Sequence, residues 1–233
     1  MSEKIKFTID GKECLAERGQ NVLDAAADNG VYIPSLCHMR DLIPAGSCRI
    51  CNVKIAGRNM TACSTPVEQG MDIENNTAEL QDLRKAIVEM LFVEGNHFCP
   101  ACEKSGNCEL QALGYRFQMM VPRFPYEFPM RKPDTESPKL WIERNRCIKC
   151  KRCVRSITTA DGKHIFALHK RSHEVEIQID HELAALMTEE EANKAMETCP
   201  VGSILRKEKG FDQPIGTRKF DKNAIGSEIE KVI

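Results

Sequence analysis

Eleven of the twelve cysteines in this 233-residue chain, together with one histidine, fall into three groups of four. Thiolate sulfur is the usual ligand of iron–sulfur clusters, and each group has the ligand count and spacing of one cluster site. Such clusters exchange single electrons, so these residues predict electron-transfer chemistry. The groups are Cys37, Cys48, Cys51 and Cys63; His97, Cys99, Cys102 and Cys108; and Cys147, Cys150, Cys153 and Cys199.

The first group predicts a [2Fe–2S] cluster. Gly46 and Ser47 precede its central pair, Cys48 and Cys51, and small residues let backbone N–H groups approach the sulfurs of a negatively charged centre. Ten residues separate the first two cysteines of the group, which departs from the plant-type C-x4-C-x2-C spacing. A structural zinc site is the alternative, although zinc sites usually pair two CxxC knuckles.

The second group lies within GNHFCPACEKSGNCELQ. Its three cysteines leave a [4Fe–4S] cluster one ligand short, and His97 is the nearest residue able to complete the set. A neutral imidazole in place of a thiolate removes one negative charge, so we expect a raised reduction potential, as in Rieske centres. The alternative is that His97 is an ordinary hydrogen-bonded loop residue.

The third group opens with RNRCIKCKRC and closes with Cys199-Pro200, which is the bacterial ferredoxin pattern. A two-cluster ferredoxin would have four more cysteines in the same two runs. We therefore predict a ferredoxin-like unit that holds one [4Fe–4S] cluster and has lost the other site. The residues at the four lost positions are Ile157, Glu189, Ala192 and Ala195.

Six cations surround the third group, and two interpretations of them stay open. Nearby positive charge favours the reduced form of a cluster. Alternatively, these side chains are solvated or pair with carboxylates of a partner. The cations are Arg144, Arg146, Lys149, Lys151, Arg152 and Arg155. The remaining cysteine, Cys14, is interpreted as a small buried apolar residue of a strand.

The elements around the first group begin with a β-hairpin, predicted from alternating apolar residues and the Asp10-Gly11 turn. A helix capped by Asn21 follows, and Gly30 is placed to end it. This order of hairpin, helix, cysteine loop and strands is typical of a β-grasp [2Fe–2S] ferredoxin-like domain. The predicted strands cover residues 4–9, 12–17, 52–55 and 60–64, with a turn at residues 56–58.

Further along the chain, Asn76 is spaced to cap a second helix, which Gly95 is placed to end. A shorter helix is predicted over residues 109–115. Five prolines in residues 121–138 exclude a helix or a central strand, so we predict an extended arm held against a surface by its aromatic residues. The apolar stripe predicted for the second helix is Leu80, Leu83, Ile87, Met90 and Leu91. The third unit is predicted to contain strands over residues 165–169 and 174–179 and a helix with a Thr188–Glu191 capping box.

The predicted fold class is α+β: the β-grasp domain, a small helical [4Fe–4S] domain with one histidine and three cysteines as ligands, and a ferredoxin-like [4Fe–4S] domain with one cluster site lost. The predicted divisions are the [2Fe–2S] domain at residues 1–76, the small helical cluster domain at 77–120, the proline-rich linker arm at 121–138, the ferredoxin-like domain at 139–206 and a charged C-terminal tail at 207–233.

Composition narrows the function classes. A net charge of −1 gives no reason to expect binding to nucleic acid or to an anionic membrane. No apolar stretch is long enough to span a bilayer, and the N-terminal sequence MSEKIKFTID has no secretory signal. We therefore expect a cytoplasmic protein without direct membrane insertion, in which repeated CxxC spacing indicates metal rather than disulfides. A zinc-binding interaction protein and a small NAD-linked reductase are alternatives, but GxGxxG and P-loop motifs are absent from the sequence.

The chain resembles the small diaphorase subunit of cytoplasmic NAD-reducing [NiFe] hydrogenases over nearly its whole length. It is also similar to the N-terminal part of the large iron–sulfur subunit of respiratory complex I. In complex I subunits three residues usually separate the histidine from its first cysteine, whereas here only Phe98 intervenes, which favours the hydrogenase family. The motifs that carry the resemblance are YIPSLC, GSCRIC, EGNHFCPACEKSGNCELQ, RFPYEFP, ERNRCIKCKRCV and CPVGSIL.

This resemblance implies an electron-relay subunit with one [2Fe–2S] and two [4Fe–4S] clusters and no active site of its own. It also implies a hetero-oligomer with [NiFe] hydrogenase subunits and with a diaphorase subunit that binds FMN and NAD. The implied reaction of the whole complex is H2 + NAD+ = H+ + NADH. The alternative is the equivalent iron–sulfur subunit of an NAD-dependent formate dehydrogenase or of a complex I-like NADH dehydrogenase.

Overall fold

The computed structural model describes residues 4–230, which divide into two compact units. The first unit comprises residues 4–88, 113–120 and 223–230, and the second comprises residues 89–112 and 121–222. The five-part domain division made from the sequence stays a prediction. The helices are α1 (Val22–Asp28), α2 (Ala78–Val93), α3 (Glu109–Arg116), α4 (Arg152–Ser156), α5 (His181–Leu186), α6 (Glu189–Thr198) and α7 (Ser227–Glu230). The strands are β1 (Ile5–Ile9), β2 (Lys12–Ala16), β3 (Asn52–Ile55), β4 (Arg58–Thr61), β5 (Asp72–Glu74), β6 (Leu140–Ile142), β7 (Phe166–His169), β8 (Glu176–Ile179) and β9 (Ile204–Arg206).

The first unit is built on a mixed five-stranded sheet with the order β2-β1-β5-β3-β4. Strands β1 and β2 are antiparallel, β5 runs parallel to β1, and β3 is antiparallel to both β5 and β4. Asp10 and Gly11 join β1 to β2 with φ values of 50° and 79°, as a type I′ turn requires. The apolar faces of α1 and of the sheet form one core. This arrangement confirms the predicted β-grasp fold.

Helix α1 begins and ends where the sequence predicted. The Asn21 side chain accepts a hydrogen bond from the backbone N–H of Asp24, which satisfies a donor that the first turn leaves free. At the other end Asn29 is the C-cap and Gly30 follows with φ +70°, the left-handed conformation that glycine adopts without strain. The predicted burial of Cys14 in a strand is also confirmed, since Cys14 lies in β2 and is 2% exposed.

The strand predicted over residues 60–64 was placed too late. Ala56 and Gly57 both have positive φ and form a two-residue turn, so Arg58 already belongs to β4. After Thr61 the chain leaves the sheet in a 3-10 turn, Ala62–Ser64, which the Thr61 and Ser64 hydroxyls brace by hydrogen bonding to each other. Cys63 is therefore presented by a turn rather than by a strand.

Two predictions about α2 need correction. The hydroxyl of Thr77, not the side chain of Asn76, caps the helix by accepting the N–H of Leu80. The most buried face repeats every four residues and includes an arginine, which an apolar pattern does not detect. The predicted end is confirmed, because the helix ends at Val93 and Gly95 lies two residues past it, as Gly30 does after α1. The buried face consists of Leu80, Arg84, Val88 and Phe92, whereas Leu83, Ile87 and Leu91 are half-buried and Met90 is exposed.

The second unit contains two short antiparallel sheets, β6 with β9 and β7 with β8, together with α4 and α6. Helix α6 begins with the predicted capping box, because Thr188 and Glu191 exchange side-chain to backbone hydrogen bonds. Strands β6 and β9 and helices α4 and α5 were not predicted. The last residue of β9 is Arg206, which the sequence placed at the edge of the tail.

The proline-rich arm is held by its backbone and not by its rings. Glu127 N–H donates to the Val93 carbonyl at 3.0 Å, and Arg131 N–H donates to Asn145 Oδ1 at 2.8 Å. The rings of Phe124, Tyr126 and Phe128 are exposed, with Tyr126 stacked on Phe128. The expectation of a held segment is confirmed, but the predicted role of the aromatics in holding it is wrong.

The described part of the C-terminal tail packs against its own chain. In the second unit, Phe220 N–H donates to the Gly106 carbonyl at 2.9 Å. In the first unit, Arg116 donates to the Ile225 carbonyl at 2.8 Å and pairs with Glu230. Among residues 4–230, none of the helices is both long and apolar enough to cross a bilayer.

Candidate iron–sulfur centres

The four cysteines of the first group come together in the first unit. Cys37 follows α1, Cys48 and Cys51 lie in the loop before β3, and Cys63 lies in the turn after β4. Side-chain hydrogen bonds from Cys48 and Cys63 hold the pKa of Cys37 far below its usual range. A side-chain hydrogen bond from Cys63 likewise lowers the pKa of Cys51. The four sulfurs therefore form one connected group, in which all but half-exposed Cys48 are buried.

Gly46 in this loop has φ +58°, and only Ser64 Oγ lies as near as 4.0 Å to the place of a Cβ. Glycine adopts this left-handed conformation without strain. That the small residues let backbone N–H groups approach the sulfurs stays a prediction.

The three cysteines of the second group interact in the second unit. Burial is the main cause that raises the pKa of Cys99, Cys102 and Cys108, to about 12 for Cys108. The charge of Cys102 further raises the pKa of Cys99 and of Cys108, and the charge of Cys99 also raises that of Cys108. Cys99 begins a 3-10 turn and Cys108 directly precedes α3. The N–H of Gln111 donates to Cys108 Sγ at 3.4 Å, so the first turn of α3 faces this sulfur.

His97 has the properties of a ligand on one of its two nitrogens. Its Nε2 is buried and has no hydrogen-bond partner, while the ring bonds to the Leu91 backbone, which leaves that bond to Nδ1. Burial first, and then the charge of Arg146, lower the pKa of His97 to about 4, so the ring is neutral at pH 7. Arg146 acts on Cys99 and Cys102 as well, which ties the histidine and these cysteines to one cation.

Two glycines leave room for the second group. A Cβ on Gly95 would lie 2.5 Å from His97 Nε2 and 2.8 Å from the Asn145 carbonyl oxygen. A Cβ on Gly202 would collide with Cys102 Sγ. Neither glycine has a positive φ, so both are required by space and not by backbone conformation. Gly202 belongs by sequence to the CPVGSIL motif of the third group, and no sequence signal connects it with Cys102.

The third group also comes together. Burial is the first cause that raises the pKa of Cys147, Cys150 and Cys153, and the charge of Cys199 is the second influence that raises each of them. Cys153 lies in α4, and Cys199 is the C-cap of α6. The short helices thus deliver the last cysteine of the run and the distant fourth cysteine to one place.

Backbone amides point at the ligand sulfurs in all three groups. In each case the amide two residues after the cysteine donates to its sulfur, which lowers the pKa of that thiol. The left-handed conformations of Arg49, Lys149 and Lys151 bend the CxxC loops in which they lie. The pairs are Cys48 with Ile50, Cys102 with Lys104, Cys108 with Leu110, Cys147 with Lys149, and Cys150 with Arg152.

Several cations predicted around the third group are bound to carboxylates of this chain. Arg152 makes a two-pronged ion pair with Glu109 at 2.8 and 2.9 Å. Arg146 lies 3.3 Å from Glu103, and Arg144 lies 3.1 Å from Asp134. These three pairs favour the second interpretation of the cations, in which they pair with carboxylates. The carboxylates belong to this chain and not, as expected, to a partner.

The donor sets fit iron–sulfur clusters. Grouped, mostly buried thiols are the donors that such clusters take. The unpartnered Nε2 of His97 fits a ligand, and Gly202 leaves space beside Cys102 Sγ for a bulky group. Among residues 4–230, no three His, Cys, Asp or Glu side chains are grouped to hold a single metal ion. The assignment of each ligand set therefore rests on residue types, grouping and burial. Besides the role of Gly202, sequence reasoning missed the buried Arg84, which donates to the carbonyl of Asn52, the residue after Cys51.

Comparison with known protein families agrees with this assignment. Residues 2–78 match a 2Fe-2S iron-sulfur cluster binding domain. Residues 84–123 match the NADH-ubiquinone oxidoreductase-G iron-sulfur binding region, and residues 137–205 match the ferredoxin-like domain of NADH-quinone oxidoreductase subunit 3. The chain thus carries 2Fe–2S and 4Fe–4S binding regions, as predicted.

Individual relatives narrow the family. The mitochondrial NADH-ubiquinone oxidoreductase 78 kDa subunit of Candida albicans is 29% identical over 97% of this chain, which spans only 32% of that protein. A crystal structure of an NAD+-reducing [NiFe]-hydrogenase in the H2-reduced state contains a chain that matches with a TM-score of 0.88 and 37% identity, over 97% of this chain and 98% of that one. The gamma subunit of NAD-reducing hydrogenase HoxS from Cupriavidus necator is 51% identical over 95% of both chains. The chain therefore belongs to the family of this hydrogenase gamma subunit.

Proposed function

We propose that this chain is the electron-relay subunit of an NAD-reducing [NiFe] hydrogenase, which as a complex catalyses H2 + NAD+ = H+ + NADH. The observation that carries the proposal is the presence of three grouped ligand sets in a chain that matches the hydrogenase gamma subunit over 95% of both lengths. The match to the mitochondrial 78 kDa subunit is weaker and covers only 32% of that protein. A formate dehydrogenase or complex I-like complex is the alternative.

The proposed cofactors are one [2Fe–2S] cluster and two [4Fe–4S] clusters, which when bound supply one-electron carriers. Cys37, Cys48, Cys51 and Cys63 would hold the first. His97 and its three cysteines would hold the second, and Cys147, Cys150, Cys153 and Cys199 the third. The chain contributes the ligands, the amides directed at the sulfurs, and walls that exclude water. FMN, NAD and the [NiFe] centre are assigned to partner subunits, and the complex to the cytoplasm.

The second and third ligand sets are joined by a short connection within the second unit. Glu109, the residue after Cys108, donates its N–H to the carbonyl of Pro200 at 2.8 Å, and Pro200 follows Cys199. The two-pronged ion pair of Glu109 with Arg152 reinforces this link, because buried charge-assisted pairs are geometrically specific. A relay needs such a fixed spacing, since electron transfer depends steeply on distance.

The proline-rich arm is the proposed docking segment for a neighbouring hydrogenase subunit. Its backbone is bound to the second unit, but the aromatic rings face outward, with Phe128 66% exposed. Exposed, stacked aromatic residues are typical anchors of protein interfaces. The described tail, which packs on its own chain, is a weaker candidate for the docking role that the sequence suggested.

The function is tested by producing the chain anaerobically, alone and together with its partner subunits. The chain alone should contain about ten iron atoms and should neither oxidise H2 nor reduce NAD+. The assembled complex should reduce NAD+ with H2. A colourless protein that contains mostly zinc would contradict the cluster assignment, and copurification with formate dehydrogenase subunits would contradict the hydrogenase assignment.

Replacing the two stacked rings of the arm, by Tyr126→Ser with Phe128→Ser, should release the partner subunits and lower H2-dependent NAD+ reduction by at least about tenfold. The iron content should stay unchanged, because the arm holds no ligand. Tyr115→Ser removes an exposed ring outside both the arm and the tail and is the matched control. Full assembly of the double variant would remove the arm from the proposal.

The ligand role of His97 is tested by His97→Cys. Because cysteine can also bind iron, the second cluster should remain. The thiolate adds one negative charge, so the reduction potential should fall by about 100 mV or more, which is part of the difference between Rieske and plant-type centres. Potentiometric EPR measures the shift. His164→Cys, at an exposed histidine of the same unit, is the control and should leave the potential unchanged. An unshifted potential in the His97 variant would mean that His97 is not a ligand.

Gly202→Ala tests the assignment of this glycine to the second cluster. The added methyl group meets Cys102 Sγ, so the EPR signal of the second cluster should be lost with about four iron atoms, although Gly202 lies next in sequence to the third group. Gly210→Ala is the control, because its methyl group would meet only the flexible Glu103 side chain at 3.3 Å. Loss of the third signal alone would contradict this assignment.

A further inference from the structure

Arg84 is the largest of the fully buried side chains in the described residues, with 1% exposure. It projects from the second turn of α2. Its Nη1 donates to the Asn75 carbonyl at 3.0 Å, and its Nη2 donates to the Asn52 carbonyl at 2.7 Å and to Asn75 Oδ1 at 2.8 Å. All three acceptors are neutral. The guanidinium is therefore well oriented, but its charge is not compensated by these bonds.

The hydrogen bonds of Arg84 within residues 4–230 go to Asn75 and Asn52 and not to a carboxylate, and its Nε has no hydrogen-bond partner. The Asp10 carboxylate instead accepts the backbone N–H groups of Asn75 and Asn76. An uncompensated buried charge is strongly destabilising, so such a guanidinium needs a negative group nearby.

One of these acceptors places the guanidinium next to the backbone of the first ligand set. The Asn52 carbonyl that holds Nη2 belongs to the residue directly after Cys51. Burial lowers the pKa of Arg84 to about 10, and the Cys51 thiolate is the strongest influence in the opposite direction. The Asp10 carboxylate and Tyr32 also favour the charge, whereas Arg116 opposes it. At pH 7 the guanidinium therefore remains charged, and the Cys51 thiolate favours that charge.

We infer that Arg84 is the buried counter-cation of the first cluster and that it raises the reduction potential of that cluster. The inference rests on the proposed [2Fe–2S] site. A cluster becomes more negative on reduction, so a fixed positive charge in a dry interior stabilises the reduced form more than the oxidised form. Arg84 thus acts on the cluster through its charge and is not itself a ligand.

The test is the potential of the binuclear EPR signal in the full chain. Arg84→Gln removes the charge and keeps donor groups, and should shift the equilibrium toward the oxidised cluster by about tenfold or more, which is about 59 mV for a one-electron couple. Arg84→Lys keeps the charge and should retain most of the potential. Equal potentials in wild type, Gln and Lys variants, or equal shifts in both variants, would overturn the inference.

Asn75→Asp provides a second test that does not depend on removing the arginine. The new carboxylate would stand at the position of the amide oxygen that lies 2.8 Å from Nη2, and would neutralise the guanidinium with little change of shape. The potential should again fall, by the amount that corresponds to about a tenfold shift of the equilibrium toward the oxidised cluster. Asn76→Asp adds the same charge at the neighbouring exposed residue and is the control, with a much smaller shift expected.

The two hypotheses fail in different ways. If wild-type protein shows no binuclear EPR signal, the proposed cofactor of the first set is wrong. If the signal is present and Asn75→Asp leaves its potential unchanged, or shifts it no more than Asn76→Asp does, the cluster stands and the role of Arg84 is wrong.

Discussion

Several thiolates cannot be held together in a protein interior unless positive charge is held with them. This constraint acts at all three ligand sets. In the third set, burial and the charge of Cys199 both raise the pKa of Cys147 and Cys150, so the thiols favour their neutral form until a cation is bound. Bound iron would ionise these thiols, and its binding free energy would then become part of the folding free energy of the loops.

The loops are shaped for that charge at some local cost. Arg49, Lys149 and Lys151 adopt left-handed backbone conformations, each of which costs a non-glycine residue roughly 1–2 kcal/mol. The bends direct amides toward the sulfurs two residues earlier, where they stabilise negative charge. A loop of this kind is favourable with an anionic centre and strained without one, which links backbone conformation directly to cofactor binding.

The arginines near the ligand sets also compensate negative charge, but they have two different roles. Arg152 and Arg146 are neutralised by Glu109 and Glu103 of the same unit, so they fasten the second and third ligand sets to each other. They do not form a bare positive surface. Arg84 differs, because its described partners are neutral oxygens and its charge is left to act on the first ligand set. Placement of carboxylates thus decides whether an arginine works as a structural link or as an electrostatic one.

Sequence reasoning succeeded where the signal is local. The Asp10-Gly11 turn, the Asn21 cap and the Thr188–Glu191 box depend on residues within a few positions. Cysteine spacing likewise predicted which cysteines come together, whereas their role as cluster ligands stays a prediction. It failed where tertiary packing decides. Strands β5 and β9 have three residues each, too few for a periodic pattern. Gly95 and Gly202 were assigned a helix end or a motif position, whereas their importance comes from side chains that approach from distant parts of the chain.

The lost cluster site shows how a ligand set is converted into ordinary core. Ile157, Ala192 and Ala195 occupy three of the former cysteine positions and are at most 3% exposed. Apolar side chains there need neither charge compensation nor amides directed at sulfur, so the helices can pack directly. Glu189, at the fourth position, lies toward solvent and pairs with buried Arg206 of β9. Restoring a second cluster would require removing packed side chains as well as adding four thiols. Packing at these positions therefore limits the unit to one set of four cysteines.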